Sequence, residues 1–136
     1  MAAKRPRSAG KRTVRKTNPL AKARQICLAL PEATEKEAWG APTFRVRDKL
    51  FAMYADDVHG DGRTALWLNS DAATQQQLIA SDPERFFSPP YVGCNGWIGI
   101  RLDRGLDWDV VAEFVRQAYL RTAPKRLATL LEDEHS

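Results

Sequence analysis

Residues 43–54, TFRVRDKLFAMY, constrain the chain more than any other stretch. Side chains alternate in character on both sides of Asp48-Lys49, the period of two strands half covered by a core. Strands Thr43–Arg47 and Leu50–Tyr54, joined by that two-residue turn, would set Val46 against Phe51 and Phe44 against Met53 on one face. Arg45 against Ala52 and Arg47 against Leu50 would then lie on the other. A hairpin with one apolar face needs a second layer, so the chain must supply helices to cover it.

The flanking sequence supplies them. Asn18-Pro19 reads as an N-cap with proline in the first turn. Leu20, Ala23, Cys27 and Leu30 follow at helical spacing, up to Pro31. Residues 34–39 read as extended, punctuated by Gly40 and Pro42, and residues 56–62 as a turn. Arg63–Asn69 alternates as a strand, as does Trp97–Leu102. Asp71 caps a short helix through Ser81, and residues 81–96 are irregular and rich in Pro and Gly. Asp107 caps a long helix with a stripe of Val111, Phe114, Val115 and Ala118. Ala123-Pro124 ends it, and a last helix runs from Lys125 to near Glu132. The expected fold is α+β: a mainly antiparallel sheet with helices packed on one face.

Charge divides the chain unevenly. Residues 1–17 carry seven basic residues and no acid, which leaves 14 basic against 17 acidic residues in the rest. The expected organisation is a disordered basic arm over 1–17, one domain over 18–132, and a short tail over 133–136. No apolar run is long enough to cross a membrane, and the basic N-terminus has no apolar segment behind it. Cys27 and Cys94 show no CxxC spacing and read as reduced thiols, which places the chain in the cytoplasm. The sequence leaves the oligomeric state open, with a monomer favoured.

Catalytic constellations are sparse. His59 and His135 have no partners at metal-ligand spacing, and no P-loop, GxGxxG or HExxH occurs. Cys94, in YVGCNGW, is the one candidate nucleophile, and a small residue beside a glycine turn is its simpler description. The chain therefore reads as a non-enzyme with no catalytic residue, cofactor or metal.

Binding is better supported. The face opposite the helices would carry Arg45, Arg47, Trp67, Trp97 and Arg101, joined by Tyr54, with Lys49 at the hairpin tip. Guanidinium groups reach phosphate and indoles stack on bases, so this pattern suits DNA. Lys11, Arg12, Arg15 and Lys16 in the arm would add phosphate contacts without reading sequence. The alternative is a small-molecule or protein-interaction module that uses the same exposed aromatic face.

Three blocks, LPEATEKEAWGAPTFRVRDKLFAMY, DPERFFSPPYVGCNGWIGIRL and APKRL, span nearly the whole folded region. In order and spacing they resemble the MmcQ/YjbR family of small bacterial proteins. Gly40, Pro42, Phe44, Lys49 and Phe51 fit the first block, Trp97 the second, and Pro124, Lys125 and Leu127 the third. The resemblance implies a fold like that of the frataxin homologue CyaY and DNA binding through a sheet surface likened to a double wing. The iron chemistry of frataxins is not implied with it. Their first helix presents acids, whereas residues 19–30 here offer Lys22 and Arg24 and no acid.

Overall fold

The computed structural model describes residues 18–134. Among them are four α-helices and six strands, in an α+β arrangement. In chain order these are α1 (Pro19–Leu28), β1 (Ala33–Ala38), β2 (Ala41–Val46), β3 (Lys49–Asp56), β4 (Thr64–Leu68), α2 (Ala72–Ser81), β5 (Phe86–Phe87), β6 (Ile98–Arg101), α3 (Trp108–Thr122) and α4 (Lys125–Glu134). The strands form one sheet in the order β1-β2-β3-β4-β6-β5, and every pairing is antiparallel.

Local chemistry sets the helix starts as the sequence suggests. The Asn18 side chain accepts from the Leu20 and Ala21 amides, Asp71 from Thr74, and Asp107 from Asp109. The helix-side core joins Ala23 and Cys27 of α1, Val111, Val115, Ala118 and Tyr119 of α3, and Leu127 and Leu131 of α4. They pack on Phe44, Val46, Phe51, Leu66, Leu68, Ile98 and Ile100 of the sheet. Tyr119 is a keystone: its ring meets Phe51 edge-on at 5.6 Å and its hydroxyl donates to the Pro31 carbonyl at 2.6 Å. The last helix runs two residues past the expected domain end, through Glu134.

The central hairpin differs from the expected one. Its turn residues are Arg47-Asp48, with φ of 53° and 66°, the two left-handed positions of a type I′ turn. Val46 therefore faces Lys49 and Arg45 faces Leu50. Phe44 then faces Ala52 and Thr43 faces Met53, because a β-bulge makes Phe51 an extra residue on β3. The bulge keeps Phe51 in the helix-side core but exchanges the residues beyond it. Met53 turns to the open face, and Tyr54 turns away from it to pack with Leu66.

The open face is not a wet surface. Ala41, Met53, Ala55, Ala65, Trp67 and Phe87 form a second buried cluster there, against which half-buried Val58, Val92 and Trp97 pack. The irregular segment 81–96 contains β5 and a 3-10 turn over Gly93–Asn95, and it folds back across the far side of the sheet. Gly99 makes this possible. A Cβ at that position would stand 2.4 Å from the Phe87 ring, so only glycine lets the ring lie on β6.

Candidate functional site

Two loop segments raise walls along the open face, and between them lies a cleft of about 830 Å³. Its floor is Met53 and Trp67 on the central strands. One wall is the β1–β2 turn with Trp39 to Pro42, and the other is Tyr91, Val92 and Trp97. The β2–β3 ladder stops at Thr43–Met53, so residues 54–56 pair only with β4, and the cleft turns round the sheet end to reach Tyr54, Asp56 and Leu20 of α1. The volume falls within the range of small-molecule sites, which are concave and mostly apolar.

The second wall is fastened to α2. Buried Gln75 donates its side-chain amide to the carbonyls of Gly93 at 2.8 Å and Trp97 at 2.6 Å. Gly96, at φ 89°, lies so close to the start of α2 that a Cβ would stand 2.7 Å from the Ala72 amide nitrogen. The loop bearing Tyr91 and Trp97 is thereby held at both its polar and its steric contacts.

Two rim residues are strained. Trp39 and Tyr91 have φ of 55° and 69° and are 76% and 73% exposed. A bulky residue in the left-handed region costs roughly 1–2 kcal/mol. Burial repays little of it at such exposure. The indole Nε1 of Trp67 is buried without a hydrogen-bond partner. Burial, and secondarily Asp56, hold the Tyr54 hydroxyl above its ordinary pKa, so it stays a neutral donor at physiological pH.

Of the three arginines expected on one basic face, Arg45 and Arg101 stand on the open side of the sheet and Arg47 does not. Arg47 stands in the hairpin turn and forms a two-point ion pair with Glu32, within electrostatic reach of Tyr119 and Arg126 in the helix layer. The Arg47 hydrogen bond holds the Glu32 carboxyl below its usual range. Arg101 lies on the open side but is clasped by Asp103 through two 3.0 Å bonds, which depress the Asp103 pKa in turn. Arg63 stacks on the Phe87 ring, 4.1 Å from its centroid, with Asp61 beside it. Arg45 is half-buried and donates to Thr43 Oγ1 at 3.2 Å; among the described residues no carboxylate lies within ion-pair distance of it. Lys49 is exposed at the start of β3. Of the residues expected on the binding face, the cleft gathers Tyr54, Trp67 and Trp97. Lys11, Arg12, Arg15 and Lys16 lie outside the described residues.

Trp39, Tyr91 and Asp56 have no place in the sequence-derived site. The one signal for Trp39 was an aromatic directly before Gly40 at a strand turn. Cys94 is exposed, and its thiol donates to the Tyr91 carbonyl at 3.3 Å, whereas burial in the core raises the Cys27 thiol pKa strongly. Among the described residues no three His, Cys, Asp or Glu side chains are grouped to hold a metal, and no helix is long and apolar enough to cross a membrane.

The family model described as YjbR matches residues 28–121, from the end of α1 through nearly all of α3. The chain belongs to the YjbR family. Its fold is shared with a solved structure, the Deinococcus radiodurans protein DR2400 with the domain DUF419. The TM-score is 0.64 at 20% identity, over 75% of this chain and 76% of that one. No curated protein matches. The YjbR match takes in both cleft walls and the floor; of the lining residues, Leu20 alone lies outside it.

Proposed function

We propose that this YjbR protein acts by binding, not by catalysis, and that its aromatic cleft takes a small, planar, largely apolar molecule. One observation carries this reading. Trp39 and Tyr91, on opposite walls, are both held in the left-handed region and both left about three-quarters exposed. Strain at an exposed aromatic is unfavourable for folding alone and intelligible if the ring closes on a ligand. The buried, unpartnered Trp67 Nε1 adds a hydrogen-bond donor that folding leaves unused. The fold goes with a CyaY-like (frataxin-like) description, helices over an antiparallel sheet, and the setting with a cytoplasmic one.

Nucleic-acid binding is a second reading, favoured by the seven basic residues of 1–17. On this reading phosphate affinity belongs to that segment. Arg47 and Arg101 already have carboxylate partners, and a phosphate would have to displace them.

Thermal unfolding and tryptophan fluorescence of the full chain, titrated with small planar aromatics of positive, negative and zero charge, test the main reading. A bound ligand at 100 times its Kd stabilises the folded state by about 2.7 kcal/mol. At least one probe should raise Tm and shift emission, and Trp39→Ala should abolish both effects. If no probe does either, the cleft is not a ligand site.

A further inference from the structure

We infer that the cleft selects an organic cation: a planar apolar body that bears a positively charged, weakly hydrated head, such as a quaternary ammonium. This rests on the small-molecule reading above and specifies its chemistry.

Charge and ring content both point to it. Asp56 is the single charged side chain lining the cleft among the described residues, and no lysine or arginine lines it. Every described lysine and arginine is thus kept out of this apolar recess. Five aromatic side chains, Trp39, Tyr54, Trp67, Tyr91 and Trp97, line the same space. The faces of such rings carry negative potential and attract cations, most strongly when the cation is desolvated. Asp56 accepts one bond, from Thr64 Oγ1 at 3.2 Å, so lone pairs of its carboxylate remain available. It is the last residue of β3, two positions beyond Tyr54 and past the end of the β2–β3 ladder, an address for charge at one end of an apolar trough. An anionic ligand would meet that carboxylate and the ring faces with no countercharge. A neutral ligand would leave the carboxylate unused.

The test is a fluorescence titration of the full chain with three benzyl probes: benzyltrimethylammonium, its uncharged isostere neopentylbenzene, and the smaller anion phenylacetate. Benzyltrimethylammonium should bind at least ~10-fold more tightly than neopentylbenzene, and phenylacetate most weakly. Asp56→Asn should lower cation affinity ~10-fold, a larger loss than for the neutral probe. Glu113→Gln, on the exposed face of α3, should change none of the three. Neutral binding equal to or tighter than cation binding, or an Asp56→Asn variant with the cation preference intact, overturns the inference and leaves the small-molecule reading standing. Failure of all three probes to bind overturns both.

Discussion

Gln75→Leu tests how the cleft is built. The Gln75 amide donates to the Gly93 and Trp97 carbonyls, and the residue is 8% exposed. Leucine cannot donate. Two hydrogen bonds are lost, at about 0.5–1.5 kcal/mol each. The Gly93 carbonyl keeps a second donor, the Gly96 amide at 3.0 Å, so its desolvation is largely covered. The Trp97 carbonyl loses the amide that served it, which costs about 1–3 kcal/mol more. Burying leucine in place of an amide offsets roughly 1 kcal/mol. The expected net loss is about 1–5 kcal/mol, read from urea unfolding followed by circular dichroism, with m unchanged. Because Trp97 sits on the loop so released, its emission should shift toward the red. A loss below about 0.5 kcal/mol with unaltered emission would show that Gln75 does not fasten the wall, and the derivation of the cleft from α2 would be wrong.

Three further outcomes are expected. Trp39→Gly relieves the strain at φ 55° and removes little buried surface, so stability should hold or rise by up to about 1 kcal/mol while probe affinity is lost; a clear destabilisation would make Trp39 a structural residue. Asp103 has a folded pKa below its ordinary 3.8, so the unfolded chain binds more protons around and below that value. The Arg101–Asp103 contribution is therefore complete above pH 3.8 and fades as pH falls through the folded pKa; Asp103→Asn should lower stability at neutral pH and flatten its acid dependence, seen in unfolding curves from neutral to acid. A chain starting at Asn18 should no longer retard duplex DNA at low salt, and the full chain's binding should steepen by about 0.9 in logarithmic salt slope per phosphate contacted. Retardation by the shortened chain would return Arg45 and Lys49 to a nucleic-acid surface.

The helices and the α+β class were legible because their signals are local: Asn18-Pro19, Asp71 and Asp107 cap where they stand. The hairpin was legible as a hairpin but not in register. Asp48-Lys49 looks like the turn, yet Arg47-Asp48 adopt the left-handed pair, and one bulged residue, Phe51, then exchanges Met53 and Tyr54. Alternation cannot reveal a bulge, since the same letters fit either phase. The basic-aromatic face was legible only in part: Arg45, Trp67, Trp97 and Arg101 do share the open side, but their partners were not legible. Periodicity assigns Arg101 to a side of the sheet but not to Asp103, and it assigns Arg47 to a strand that ends before it. The cleft was least legible of all, because its walls come from a Trp-Gly turn and a proline-rich loop whose course is fixed by Gln75 and Gly99, contacts distant in sequence.

The four tryptophans supply the most direct measurement. Trp39, Trp67 and Trp97 line the cleft, while Trp108 begins α3 in the helix layer and serves as an internal control. In a heteronuclear NMR titration of the full chain with the benzyl probes, the indole N–H resonances of the first three should move together and that of Trp108 should stay in place. Resonances that all remain still, or a shift confined to Trp108, would contradict the claim that the open face of the sheet is a ligand site.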